Sequence, residues 1–439
     1  MEPQSRKINE LLDFIACSPT PCHATDKLIT LLQARGFTRL TLSDDWILPG
    51  PGRFFVVNHH LALAAFTLTG DCPDRDGLRI AGAHTDSPCL KLKPDPGQRT
   101  KNMEQLGVEV YGGALLATWF DRDLSLAGRV CWQDNGGEIH SGLIDFQRPI
   151  GVIPSLAIHL DREANSKKTI NKQTDLVPLL TASEDECDFL DILRQQITQQ
   201  HPKAIVKEII GHDLFFYDTQ KPALIGLQDD FLTGARMDNL LSCFTLIDAL
   251  IHAPESRDAL VVLNPHEEVG SVSATGAQGP FLSMLLERLQ PDGVKRQQML
   301  ARSLLISVDN AHGAHPNFME KYDPLHLPLL NMGPVIKWNA NQRYATDTDT
   351  GGFFRALCRR AGTEAQDFVM RNDMACGSTI GPLSAAATGI KTVDVGVPSL
   401  GMHSIRETVG ARDFLMLDDV LQLFFSLDPG DVLWQGHQQ

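Results

Sequence analysis

The sequence predicts an α/β protein: a sheet with helices on both faces, interrupted by an inserted, mainly β domain. Three observations predict it. Short apolar runs at 78–82, 260–263, 304–308 and 392–395 each end in polar residues, as strands of an open sheet do. Helical spacing separates the later runs, at 240–251 (Leu241, Phe244, Ile247, Leu250, Ile251) and roughly 350–360. From about 93 to 228 the pattern changes to β-type segments and turns, at 108–111, 128–132 and 214–217, with the turn Asp134-Asn135-Gly136-Gly137.

In chain order, Ile8, Leu11, Leu12 and Ile15 define an opening amphipathic helix, ended by Ser18-Pro19-Thr20-Pro21. Thr25 is the expected N-cap of a second helix carrying Leu28, Leu31 and Leu32, which Gly36 ends. The runs 54–57 and 61–68 read as a strand pair across Asn58-His59-His60. Within the middle region, 161–175 is polar and charge-rich, a mobile loop, and 184–200 is helical. The expected division is an α/β domain built from 1–92 and 233–439, with 93–232 inserted.

With 439 residues, 43% hydrophobic and 21% charged, the chain has ordinary globular composition and room for a large core. Lys plus Arg total 39 against 54 Asp plus Glu, a net charge of −15 that repels nucleic acid and anionic lipid. No apolar run approaches the roughly 18 residues of a membrane helix, and the first ten residues carry no apolar core. Nine scattered cysteines (Cys17, Cys22, Cys72, Cys89, Cys131, Cys187, Cys243, Cys358, Cys376) form no C-x-x-C pair. Reduced thiols and a cytoplasmic location are expected.

The chemistry is concentrated after the strands. His84-Thr85-Asp86, Pro265-His266-Glu267-Glu268 and Asp309-Asn310 follow three of them, His403 lies just past a fourth, and Asp238 opens the helix at 240. Ligands of open α/β sheets bind outside the carboxyl ends of strands, so these groups can converge. Two histidines and three carboxylates suit zinc, with cobalt or manganese as alternatives. Five ligands fit two divalent ions: His84 and Asp309 on one, Glu268 and His403 on the other, Asp238 between them. Glu267 is the expected general base, and Asp86 the acceptor for the second ring N–H of His84.

Taken singly, each residue has a plainer use: Asp238 as a helix cap, Glu267-Glu268 as a solvated pair, Asp309 or His403 as turn caps. Their repeated placement after strands favours the site. Competing motifs fail. His266-Glu267-Glu268-Val269-Gly270 has Gly where a zincin needs its second His, and Asp347–Gly352 is followed by Cys358 where a calcium loop needs Glu. No nucleophile elbow or phosphate-binding glycine loop occurs, and Cys376 is the one weak thiol candidate.

At these residues the sequence resembles the aspartyl aminopeptidase family of dinuclear zinc metallopeptidases. The shared strings run nearly end to end: Gly82-Ala83-His84-Thr85-Asp86-Ser87-Pro88, Tyr111-Gly112-Gly113, Trp119-Phe120-Asp121-Arg122-Asp123-Leu124, Met237-Asp238-Asn239-Leu240, Glu267-Glu268-Val269-Gly270-Ser271, Asn341-Gln342-Arg343-Tyr344, Cys376-Gly377-Ser378-Thr379-Ile380-Gly381-Pro382 and Met402-His403-Ser404-Ile405-Arg406-Glu407. The resemblance implies a zinc-exopeptidase-like sheet domain and the same ligand set, with Glu267 and Asp86 as the two catalytic acids. It implies removal of N-terminal Asp or Glu from peptides, with Lys337 supplying the cation for the substrate carboxylate. It further implies a homo-oligomer, a tetrahedral dodecamer assembled largely through the inserted domain, with His159 reaching a neighbouring active site. Asn310 stands where relatives often have an apolar residue.

Two other readings stay open on the residues: a dinuclear hydrolase for neutral residues or other amides, and a non-catalytic scaffold. Retention of Glu267, Asp86 and all five ligand positions argues against the scaffold.

Overall fold

The computed structural model describes residues 3–46, 50–70, 76–185, 188–255 and 257–438. Nine strands form the principal sheet, in the order Thr38–Leu40, Gly52–Asn58, Ala62–Leu68, Ala259–Asn264, Arg79–His84, Leu304–Val308, Lys391–Gly396, Val335–Trp338, Gln366–Val369. The four in the middle, from Ala259–Asn264 to Lys391–Gly396, are mutually parallel, so their carboxyl ends share one edge. These four strands hold all of the apolar runs on which the α/β prediction rests.

Alternate residues of these strands face two separate cores. Ala81, Ala83, Val261, Leu263, Leu304 and Ile306 meet the helices Pro3–Ala16, Pro21–Ala34, Met237–His252 and Ala411–Ser426. Ile80, Leu260, Val262 and Leu305 meet Phe281–Leu289 on the other face. Burial on both faces explains the unbroken apolar runs, since a half-exposed strand would alternate with polar residues.

A second, wholly antiparallel sheet takes the order Ile139–Asp145, Leu124–Gln133, Glu208–Asp218, Cys89–Thr100, Met103–Tyr111, Leu179–Ala182. It has its own core, including Leu126, Trp132, Leu214 and Phe216, closed by Phe189, Leu193 and Ile197 of the helix Phe189–Gln200. A five-stranded sheet, Ala223–Ile225, Phe231–Gly234, Glu407–Gly410, Pro398–Leu400, Ala311–His312, was not foreseen. Its strands are two to four residues long, too short for a period to register.

Two sequence expectations change. Thr20, not Thr25, caps the second helix: its hydroxyl accepts the N–H of His23 and Pro21 takes the first helical position. Thr25 lies inside the helix and donates to the Leu61 carbonyl at 3.0 Å. Asp238 is no cap either, because the first turn of Met237–His252 is irregular and the residue before it, Arg236, makes no side-chain cap. The seven cysteines among the described residues are free; Cys72 and Cys187 lie outside them. Among the described residues no helix is long and apolar enough to cross a membrane.

One buried ion-pair network ties the opening helix to the core. Lys7 Nζ lies 2.8 Å from Asp248 Oδ2 on Met237–His252 and also pairs with Asp418 on Ala411–Ser426. Removing the cation strands two carboxylates that are nearly inaccessible to water. Lys7→Met is expected to lower stability by about 3 kcal/mol, read as a fall in denaturation midpoint at fixed protein concentration; an unchanged midpoint would contradict the assignment.

Candidate active site

Every cluster residue sits where the chain leaves regular structure. His84 ends its strand, Asp309 follows Leu304–Val308, and Glu267 and Glu268 form a short turn, Glu267–Val269, after Ala259–Asn264. Asp238 lies in the irregular first turn of Met237–His252, and His403 between Pro398–Leu400 and Glu407–Gly410. Parallel register does the gathering, with Asn264 opposite His84 and Ser307 opposite Gly82. Left-handed backbone at His266 (φ 69°) and His403 (φ 68°) turns the chain sharply at both sites, a conformation costing of order 1 kcal/mol each.

His84 Nε2 lies 3.3 Å from Asp238 Oδ1 and 3.5 Å from Asp309 Oδ1. On the other side of Asp238, His403 Nε2 lies 3.7 Å from Asp238 Oδ2 and 3.3 Å from Glu268 Oε2. Three overlapping groups of ligand atoms lie here, each within a 4.8 Å span: His84–Glu267–Glu268, and the pair His84–Asp238–Asp309 and Asp238–Glu268–His403. Asp238 is common to that pair. Its two oxygens point to different histidines, as a bridging carboxylate requires.

Both rings are oriented from behind. His84 Nδ1 is 3.1 Å from the Asp86 carbonyl, and His403 Nδ1 is 3.2 Å from the Gly113 carbonyl. Burial works against the charged His84 ring, but Asp238, Asp309 and Asp86 raise it well above the ordinary range; a bound ion would take the Nε2 side of each ring and leave the proton on Nδ1. Gly113 permits this approach, since a Cβ there would stand 3.3 Å from His403 Nδ1.

Asp86 meets the expected His84 nitrogen and has further partners besides. Its carbonyl is closer to the His84 ring than its carboxylate, which stands 3.5 Å away. The carboxylate is used elsewhere: it accepts the N–H groups of Glu267 and Glu268, both at 3.1 Å, and the Tyr111 hydroxyl at 2.7 Å. Burial pushes the Asp86 carboxyl up, but His84, Tyr111 and the Glu268 N–H outweigh it and leave it below the ordinary range. Asp86 therefore orients the Glu267–Glu268 turn.

The donor set fits divalent ions. Asp238 Oδ1 and Glu268 Oε1 are buried without a hydrogen-bond partner in the chain, a costly arrangement unless a cation faces them. Six carboxylates gather here (Asp86, Asp238, Glu267, Glu268, Asp309, Glu407), and the fixed cations opposing them are Lys337 and Arg236. Divalent ions would offset this excess of acidic groups. Without them burial, reinforced by Asp309, Asp238 and Asp86, pushes Glu267 up to about 8 despite His84, and Glu268 is likewise raised.

Lys337 is no surface lysine. It is 2% exposed on Val335–Trp338, with Nζ 3.3 Å from Asp309 Oδ2 and 5.5 Å from the centre of the Tyr344 ring. Burial works against the Asp309 carboxylate, yet Lys337 and His84 hold it well below the usual range. His159, by contrast, lies on an exposed turn, flanked by Leu156, Ile158 and Leu160 at 57%, 49% and 75% exposure, and does not join the cluster within one chain.

Sequence reasoning assigned no role to four residues that structure places here: Tyr111, His312, Tyr344 and Glu407. Three stand in strings already singled out, but their contacts join separate stretches of the chain and follow no spacing rule. The His312 ring packs edge-on against Phe368 at 5.5 Å, and burial and Lys337 lower its basicity. With His315, Tyr322 and the segment from Ser399 to His403 it lines a cavity of about 260 Å³. Tyr344 is held through its neighbour: Asp394 accepts the Ala345 N–H and the Thr379 hydroxyl, both at 2.6 Å. Asn310 is buried with its amide unpartnered, and Asp309 keeps its place beside it.

A mixed sheet whose four central parallel strands carry a histidine–carboxylate cluster at their carboxyl ends defines a metallohydrolase-like architecture. Residues 14–425 match the family model of the aminopeptidase I zinc metalloproteases (M18). Probable M18 family aminopeptidase 2 proteins of Pseudomonas fluorescens Pf0-1 and Pseudomonas putida GB-1 are each 50% identical, over 95% and 94% of this chain and 97% of theirs. The chain of the Ape4–Nbr1 complex superposes with a TM-score of 0.92 at 36% identity, covering 96% of this chain and 86% of that one. The Saccharomyces mApe1 dodecamer gives 0.85 at 29%, covering 100% and 99%. The chain belongs to the M18 family and is a zinc metallo-aminopeptidase.

The Asp86 arrangement makes a graded expectation. Asp86→Ala leaves two N–H groups and a hydroxyl buried without an acceptor and should cost about 3 kcal/mol, whereas Tyr111→Phe removes one bond and should cost about 1 kcal/mol. Denaturant unfolding of the two variants checks the order; equal losses would contradict it.

Proposed function

We propose that this aminopeptidase removes N-terminal Asp and Glu from peptides, and that Lys337 meets the substrate carboxylate. The observation that carries this reading is a buried cation at the edge of the ligand cluster, beside the aromatic ring of Tyr344. A cation withdrawn from water recognises an anionic group strongly and gives little to a neutral side chain. The family match supports the aminopeptidase chemistry, and the acidic preference is our reading of Lys337.

His84, Asp238 and Asp309 would hold one divalent ion and Asp238, Glu268 and His403 the other, zinc by family, with cobalt or manganese as substitutes. When bound, such ions polarise a carbonyl and lower the pKa of water. Their charge also draws Glu267 toward its ionised form, since they oppose the carboxylates that raise it. Glu267 then accepts the proton of the attacking water and delivers it to the leaving amine. Asp86 holds the backbone of Glu267 so that its side chain faces the cluster. The two unpartnered carboxylate oxygens support the ion assignment.

The unit 93–232 is proposed as the inserted oligomerisation domain. The exposed apolar turn around His159 supports an assembly in which that turn reaches a second chain, as does the dodecameric state named for the Saccharomyces relative. The assembly proposed is a tetrahedral dodecamer in the cytoplasm.

A second specificity has one observation in its favour. Lys337 pairs with Asp309 at 3.3 Å, so part of its charge is already engaged, which would suit neutral N-terminal residues. A panel of peptides with N-terminal Asp, Glu, Leu, Ala and Lys separates the two. Chelator-sensitive preference for Asp and Glu is expected, and Lys337→Leu should reduce turnover of these by about 100-fold relative to Leu and Ala peptides. Preference for neutral residues, or an unchanged profile in the variant, would remove Lys337 from recognition. Glu267→Gln should lower kcat by about 10²–10⁴-fold with ion content intact; near-normal turnover in the loaded variant would end its role as base.

A further inference from the structure

Glu407 is 1% exposed and begins the strand Glu407–Gly410. Its two carboxylate oxygens serve different parts of the site. Oε2 accepts the N–H of Asp238 and Oε1 the N–H of His403, both at 2.8 Å. Neither N–H is engaged in a sheet ladder. Asp238 lies in the first helical turn, where backbone N–H groups lack an intrahelical acceptor, and His403 is left-handed in a turn. The strand beneath is fixed on both sides, with Gly234 opposite Glu407 and Leu400 opposite Thr408. The carboxylate is thus a spacer of set length, mounted on a sheet, between two ligands far apart in sequence.

We propose that Glu407 is a positioning residue for the ion site of Asp238, Glu268 and His403. By using both oxygens it sets the separation of two backbones, and so the 3.7 Å between Asp238 Oδ2 and His403 Nε2. The inference rests on the two-ion reading above. It is asymmetric: Glu407 holds two of the three ligands of that site, Asp238 and His403, but only Asp238 of the other, whose His84 and Asp309 extend directly from the ends of parallel strands. Loss of Glu407 therefore falls mainly on one site. A general stabilising role would weaken both alike.

Glu407→Gln tests this, because the isosteric amide has one accepting oxygen and must turn its NH₂ toward the other N–H. The measurement is calorimetric titration of the metal-stripped, full-length protein with zinc, alongside circular dichroism and melting of the metal-free form. The parent is expected to bind two ions per subunit. The variant should melt near the parent, lose about 10–100-fold in affinity at the site of His403 and lose clearly less at the other, where only the shared Asp238 is affected. Glu407→Asp keeps both acceptors on a shorter arm and should show the same inequality to a smaller degree; it decides the matter if the Gln variant does not fold. Unchanged affinities, or equal losses at both sites, would overturn the positioning role while leaving two ions in place. A parent that binds fewer than two ions would overturn the two-ion reading and this inference with it.

Discussion

Six carboxylates packed at the carboxyl ends of the four parallel strands are the constraint on which the rest of the site depends. Two of their oxygens, on Asp238 and Glu268, are buried and face no donor in the chain. Such a concentration is unfavourable in the bare chain and becomes favourable once positive charge is placed among it. Almost every neighbouring feature can be read as a response. Lys337 sits against Asp309, Asp86 spends its charge on two backbone amides and a phenol, and Glu407 spends its own on two more. What remains unspent is a pair of histidine nitrogens and the oxygens that face them.

The two large sheets divide the labour. The nine-stranded sheet supplies the parallel ends that carry His84, Glu267, Glu268 and Asp309, while the antiparallel sheet contributes Tyr111 at the end of Met103–Tyr111 and the Gly113 carbonyl just beyond. The Leu115 N–H reaches the His403 carbonyl at 2.9 Å, and the Thr118 hydroxyl accepts the Ile405 N–H at 3.0 Å. The β-rich segment therefore does more than decorate the α/β part. It sets the ring orientation of one histidine and completes the bonding of Asp86.

Much of this was legible in the sequence because it follows periods or residue chemistry. Strands buried on both faces read as apolar runs, and ligand types after successive runs pointed to one edge. What escaped has a common physical character. Glu407 and the Asp86 carboxylate act on backbone N–H groups, which every residue but proline carries, so no side-chain pattern marks the partner. The helix cap was misplaced from Thr20 to Thr25 although Pro21 directly after Thr20 is the stronger start signal, proline being favoured at the first helical position. Lys337 was placed by resemblance alone; a lysine on a four-residue strand gives no sign of burial until its neighbours are known.

Asp238 as the carboxylate common to two ions is the central claim. Anomalous diffraction at the zinc edge from crystals of the zinc-loaded protein tests it most directly. Two peaks per chain are expected, one on each side of Asp238, the first beside His84 and Asp309 and the second beside Glu268 and His403. A single peak, or a second ion bound away from Asp238, would contradict the account.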